Sequence, residues 1–164
     1  MKKITHLSIL IILLIGFASC SGYKPIFSSS NLKFEIAEYT IKGNKRLGNQ
    51  MYSKLFNLSV LDKNNLERRS VDISIDISKD KNATVKNSEG KILEYKISLN
   101  SNILIKDYLT EKKILNHNSN TFSSYKVQAQ HYETVKLEND TITNLLNQTY
   151  QNLLISMSEN MLEE

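Results

Sequence analysis

The sequence predicts an α+β domain, a two-layer sandwich in which a four-stranded, mostly antiparallel sheet carries two helices packed on one face. Stretches that alternate apolar and polar residues predict the strands, and stretches with apolar residues at helical spacing predict the helices. Their order along the chain is β-α-β-β-β-α. Short connections between the later strands favour an antiparallel meander.

A change of period separates the first strand from the first helix. Residues 32–41 alternate, with a bulge expected near Ala37, and a loop follows at 42–45. From Arg46 the apolar residues instead form one helical stripe, and the helix is expected to end near Leu61. The stripe consists of Leu47, Met51, Leu55 and Leu58.

The next strands predict a sheet that is covered on one side only. Residues 71–78 alternate strictly between aliphatic and polar side chains, which leaves one face open to solvent. A turn at 87–90 leads into a long strand whose apolar residues share one parity up to Ile105. The fourth strand, 113–128, is expected to be interrupted by a polar loop at 116–120.

The last element is predicted as a helix from about His131 to Asn160, because this stretch lacks Gly and Pro and repeats apolar residues at helical spacing. Such a helix would be about 40 Å long. It could therefore cover a whole face of the sheet.

Residues 1–19 are typical of an export signal and are left out of the fold. Lys2 and Lys3 precede an apolar stretch that is too short to span a bilayer, which needs about 20 apolar residues. The small residues Ala18 and Ser19 then lead into Cys20, which is the only cysteine of the chain.

The four residues Phe17–Cys20 resemble a bacterial lipobox, in which the cysteine becomes the lipidated first residue of the mature protein. An ordinary signal peptide with an incidental cysteine is the alternative. A lipidated Cys20 would carry two or more acyl chains, which are enough to anchor a protein stably to a membrane. We therefore expect a lipid-anchored protein. Residues 20–31 are then a tether, and residues 32–164 form a single domain. Ser21, directly after the cysteine, resembles an outer-membrane sorting signal.

Charge is distributed unevenly along the chain. The sequence has 21 basic and 17 acidic residues, but residues 133–164 carry one basic and six acidic side chains. The preceding body is therefore basic and could face anionic lipid head groups. Nucleic acid is not expected as a partner of an exported protein.

No catalytic or metal-binding motif is present. His117, in the predicted polar loop, and His131, at the start of the last helix, have no cysteine to complete a metal site. Asp72 and Asp76 share a strand face, where a carboxylate pair is more often a solvated surface than a catalytic one. We therefore predict no enzyme, no cofactor and no metal.

Three segments together resemble the LPS-assembly lipoprotein LptE family, alphaproteobacterial type. They are Cys20-Ser21-Gly22-Tyr23-Lys24-Pro25-Ile26-Phe27, then 41–48 at the junction of strand and helix, and 123–135 at the entry to the long helix. Ser21 before Gly22 and Glu133 depart from the family pattern.

The resemblance implies a non-enzymatic lipoprotein on the periplasmic side of the outer membrane. It would partner the β-barrel LptD as a plug, assist the assembly of that barrel, and support transport of lipopolysaccharide to the outer membrane. Basic side chains at turns are hypothesised to contact lipopolysaccharide phosphates. These candidates are Lys45, Arg46, Arg68, Arg69, Lys112 and Lys113.

Two other functions stay open at this point. The chain could be an auxiliary lipoprotein of another envelope machine, such as a lipid-transport ABC system or the barrel-insertion complex. It could also be a lipid-anchored periplasmic enzyme, which a deep pocket with a strongly perturbed titratable group would favour.

Overall fold

Four strands and two helices make up the computed structural model, which describes residues 32–60 and 68–161. The predicted fold class and element order are confirmed. The elements are β1 (Phe34–Gly43), α1 (Lys45–Val60), β2 (Arg69–Lys86), β3 (Ile92–Asp107), β4 (Lys113–Lys126) and α2 (His131–Met161).

The sheet has the strand order β1-β2-β3-β4, and only its first pair is parallel. Phe34 lies opposite Arg69 and Gly43 opposite Ile77, so β1 covers only the first half of β2. Because β1 and β2 run in the same direction, α1 must return across the sheet between them. The predicted bulge is confirmed by the register shift between Ile36 and Glu38.

Both helices pack on the aliphatic face of the sheet, where they bury the core of the domain. Val71, Ile73, Ile75 and Ile77 of β2 are fully buried there. The opposite face carries polar side chains at the alternate positions and lies open to solvent, as predicted. The remaining fully buried core residues are Phe34, Leu47, Met51, Leu55, Ile97, Leu99, Ile103, Ile105, Leu153 and Met157.

The predicted interruption of the fourth strand is wrong, because β4 is continuous from Lys113 to Lys126. Asn116, Asn118 and Asn120 alternate onto the open face, so these polar side chains stay near water while the backbone continues its pairing with β3. β2 is likewise longer than the predicted 71–78. Its second half, up to Lys86, pairs with β3 as an extended hairpin.

The start of α1 follows the sequence closely. Gly43 adopts a φ of +67°, a conformation that residues with a side chain rarely adopt, and the backbone turns there. Asn44 then caps the helix, since its Oδ1 accepts a hydrogen bond from the Leu47 amide at 3.2 Å.

The predictions for the signal peptide 1–19, the lipidated Cys20 and the tether 20–31 fall outside the described residues. The predicted helix end near Leu61 also falls there, and Val60 is the last residue of α1. Among the described helices, none combines the length and the apolar character that crossing a membrane requires.

Candidate functional site

Four of the six candidate phosphate contacts lie at one end of the sheet. Arg68 and Arg69 stand at the start of β2, and Lys112 and Lys113 at the turn that leads into β4. The pairing of Lys106 with Lys113 brings that turn to the same end. We call these four residues the basic end.

Lys45 and Arg46 lie elsewhere. They begin α1 next to Gly43, which pairs with Ile77, eight residues along β2 from Arg69. At 3.3 Å per residue this is a separation of about 26 Å along the strand. The six candidates therefore form two groups and not one site.

Within the basic end, Arg69 is held by an acidic partner. Its Nε donates to Asp107 Oδ2 at 2.9 Å. The hydrogen bond from Arg69, together with those from the Thr110 amide and hydroxyl to the other carboxylate oxygen, lowers the pKa of Asp107 to about 2. Asp107 thus joins the start of β2 to the turn after β3, and it offsets part of the local positive charge.

Arg68 is packed against the end of α1. Its Nη1 donates to the Ser59 carbonyl at 3.4 Å, while its Nη2 is buried and has no hydrogen-bond partner among the described residues. Lys112 and Lys113 are instead exposed at the turn. The two lysines are therefore the members of the basic end that an external anion reaches most directly.

The described chain also begins at this end. Leu32 is buried two residues before β1, whose first residue, Phe34, pairs with Arg69. The N-terminal segment, residues 1–31, consequently joins the domain beside the basic end.

A second cluster of charged and aromatic side chains lies at the opposite end of the sheet, and sequence reasoning missed it. Glu138 of α2 accepts hydrogen bonds from Lys81 Nζ at 2.5 Å and from Tyr125 Oη at 2.9 Å. Lys79 Nζ lies 3.6 Å from its other oxygen. Lys81 also sits 4.3 Å above the ring of Tyr95.

These contacts shift the pKa values of the cluster. Burial alone would raise the pKa of Glu138, but the hydrogen bonds from Lys81 and Tyr125 outweigh it and lower that pKa. Burial opposes protonation of Lys81, yet its bonds to Glu138 and Tyr125 raise its pKa. Both charges are therefore maintained by their pairing. The period of the sequence places these residues on strands and a helix but does not indicate that they meet.

The two histidines have different environments. His131 is exposed as the first residue of α2, as predicted. His117 was expected in a solvated loop, which is wrong: it lies within β4, with Nδ1 3.0 Å from Ser156 Oγ and Nε2 buried without a partner among the described residues. Burial lowers the pKa of His117. In the part of the chain that the structure describes, no three metal-ligating side chains come together.

Asp76 lies on the open face of the sheet, where it helps to line a shallow depression of about 480 Å³. Amide side chains of neighbouring strands are joined there: Asn102 donates to Asn118 at 2.6 Å, and Asn120 donates to Asn100. Asp72 shares this face nearer the basic end. The centre of the face is thus a shallow polar depression of amides and hydroxyls with the carboxylate of Asp76.

No protein-family model matches the chain, and no curated protein matches it. Solved structures do share its fold. The rare lipoprotein B of Shewanella oneidensis matches with a TM-score of 0.55 at 10% identity, over 76% of this chain and 96% of that one. Lipoprotein B of Nitrosomonas europaea matches with a TM-score of 0.52 at 16% identity, over 82% and 90%. At these identities the likeness concerns the fold.

Proposed function

We propose that this chain is an outer-membrane lipoprotein, lipid-anchored through Cys20 on the periplasmic side, that partners an LptD-type β-barrel as a plug. In this role it assists the assembly of the barrel and supports the transport of lipopolysaccharide into the outer membrane. The observation that carries the proposal is the combination of a lipobox ending in the sole cysteine with a fold shared by solved bacterial lipoproteins.

The polar face of the sheet supports the role of a plug. The interior of a large outer-membrane barrel is polar and water-filled, so a domain inside it must present hydrophilic surface. The centre of the open face offers amides and hydroxyls from three strands, including Ser78, Asn100 and Asn120, beside the carboxylate of Asp76.

The position of the basic end supports a role next to the lipid. An acylated Cys20 would be tied to the domain through Leu32, which lies at that end. Lys112 and Lys113 would then lie near the membrane surface, where lipid-linked phosphates are concentrated. Lysine and arginine side chains bind such groups by charge-assisted hydrogen bonds.

Co-purification tests the partnership. The full-length protein, extracted from the envelope in detergent, is expected to bring down an LptD-type barrel, identified by mass spectrometry. Components of a lipid-transport ABC system or of the barrel-insertion complex would instead support the alternative function. Cys20→Ser is expected to leave the protein without acyl chains, which intact-mass measurement of the purified protein detects.

Charge reversal tests the phosphate contacts. The double variant Lys112→Glu/Lys113→Glu is expected to weaken binding of purified lipopolysaccharide by roughly tenfold, as the loss of two solvent-exposed ion pairs of about 0.7 kcal/mol each predicts. The matched control is Lys86→Glu/Lys91→Glu, which makes the same charge change at exposed lysines at the opposite end of the sheet. Equal binding by the wild type and both variants would exclude these contacts.

A further inference from the structure

The outer edge of β4 has no backbone partner among the described residues. β4 is the last strand of the sheet and pairs with β3 alone. It is 14 residues long, and its only charged residues at neutral pH are Lys113 and Lys126 at its two ends. A long uncharged edge is the kind of surface that receives an additional strand.

The direction of the backbone groups on β4 follows from the sheet register. The Ile77 carbonyl accepts a hydrogen bond from Asn44, so the peptide groups of Ile77 point towards β1. Those of Ser101, opposite Ile77, therefore point towards β4 and bond to Ser119. Because the backbone N–H and C=O groups of successive residues in a strand point to opposite sides, those of the even-numbered residues of β4, such as Asn118 and Asn120, point outwards, away from β3.

The other edge of the sheet is protected against strand addition. β1 carries a bulge between Ile36 and Glu38 and has charged side chains at Glu35 and Lys42. Bulges and charges are the usual means by which proteins block an edge. β4 has neither in its central part, from Leu115 to Tyr125.

Helix α2, which packs over β4, has an uncharged side next to the free edge of that strand. Tyr150 of α2 faces Lys54 of α1, and the opposite side of α2 carries no charged residue from Leu137 to Ile155, about five turns. Helical spacing assigns to this side Leu137, Thr141, Asn144, Gln148, Asn152 and Ile155. Side chains of an added strand would contact this neutral stripe on one face and extend the rows of amides on the other.

A second copy of the chain would crowd this edge. α2 lies over β4, as the contacts of Thr149 with Thr121 and of Ser156 with His117 show. If two copies paired through β4, their strands would be about 4.8 Å apart, and both α2 helices would have to fit above the paired strands. An occupant that brings no helix over this face avoids that crowding.

We propose that β4 receives an extended segment of the barrel partner, which adds to the sheet as a fifth strand; this inference rests on the proposed function. The segment is uncharged in its centre and acidic at its ends. Its centre lies beside the neutral edge, and its ends lie near Lys113 and Lys126. Main-chain hydrogen bonds supply the affinity. The uncharged stripe on α2 favours a segment whose side chains on that face are also uncharged.

Site-specific photo-cross-linking in intact cells tests the location. A benzophenone amino acid in place of Asn120 at the edge is expected to cross-link to the barrel protein. The matched control carries the same group in place of Ser53, an exposed residue of α1, which packs on β1 and β2 and so lies away from both the open face and the β4 edge. Equal cross-linking at both positions, or cross-links from Asn120 to a second copy, would overturn the proposal.

Two substitutions at one position test the backbone bond. Asn120→Pro removes the outward N–H and leaves the bonds to β3 in place, so barrel recovery is expected to fall about tenfold while the purified variant keeps its thermal unfolding transition. Asn120→Ala removes the side chain but keeps the N–H, so it should recover the barrel like the wild type. Asn118→Pro repeats the test at the next outward residue.

The outcomes separate this inference from the function on which it rests. If the wild type recovers the barrel and folded Asn120→Pro and Asn118→Pro recover it equally well, strand addition at β4 is wrong and the proposed function stands. If the wild type recovers no barrel, the proposed function fails and this inference fails with it.

Discussion

Tyr125 of β4 donates a hydrogen bond of 2.9 Å to Glu138 of α2, and this bond joins the last strand to the first turns of the last helix. Lys81 binds the same carboxylate oxygen from the far end of β2. The extended hairpin, the edge strand and the long helix therefore meet at one ionised carboxylate.

Removing the charge of Glu138 should lower the stability of the domain. Glu138→Gln keeps a hydrogen-bonding group but loses the pairing with Lys81 and Lys79, and we expect a loss of about 1 kcal/mol in the free energy of unfolding. Chemical denaturation at pH 7 measures it. Asp140→Asn, an exposed change on the same helix, is the control and should cost less.

The same carboxylate predicts a pH dependence. The pKa of Glu138 is lower in the folded protein than its ordinary value of 4.5. The contribution of Glu138 to the free energy of unfolding is therefore present above pH 4.5. It is lost as the pH falls through the pKa that Glu138 has in the folded protein. Denaturation at a series of pH values gives the free energy of unfolding of both proteins. The difference between wild type and Glu138→Gln should be constant above pH 6 and should shrink towards zero at low pH.

Asp107 should titrate near pH 2 because of Arg69 and Thr110. Its stabilising effect is present above the ordinary value of 3.8 and disappears as the pH falls towards 2. Arg69→Gln is expected to move the pKa of Asp107 back towards 3.8, as followed by carbon NMR of the carboxyl group. An unchanged pKa in that variant would show that Arg69 is not the main cause.

Gly43 should not tolerate a side chain. An added Cβ would be forced against the Ile77 carbonyl, in a backbone conformation with φ of +67°. Gly43→Ala is therefore expected to cost more than 2 kcal/mol, roughly the sum of backbone strain and the clash. Gly90 also has a positive φ, but a Cβ there meets open space, so Gly90→Ala should cost about 1 kcal/mol. Thermal unfolding of both variants gives the comparison.

His117 should make the domain less stable in mild acid. Its pKa is lowered by burial beneath α2, so below the ordinary value of 6.5 the unfolded chain binds more protons than the folded one. Stability is expected to fall as the pH drops from 6.5 through the folded pKa. His117→Asn should flatten this slope, whereas His131→Asn, at an exposed residue, should retain it.

The local pattern of apolar residues was sufficient to predict most of the secondary-structure elements. The bulge after Ile36 and the start of the last helix at His131 follow from the periods of two and of 3.6 residues, which depend on neighbours in the chain. The continuity of β4 was missed because Asn and Ser also favour loops. In this strand, pairing with β3 and an open polar face made the extended conformation favourable.

The candidate site was only partly predictable. Sequence identified the basic residues at turns, but only the register of the sheet brought Arg69 to Asp107 and kept Lys45 and Arg46 some distance away. No pattern indicated that Tyr125 would be buried beside Glu138, since a tyrosine suits both a surface and a core.

By itself, then, the sequence determined the elements, their order and the face that each would bury, because these depend on periodicity within short stretches. Only the tertiary structure decided which charges meet, which edge of the sheet stays open and at which end the N-terminal segment joins. Those features depend on contacts between residues far apart in the chain, and such contacts are settled by the packing of the whole domain.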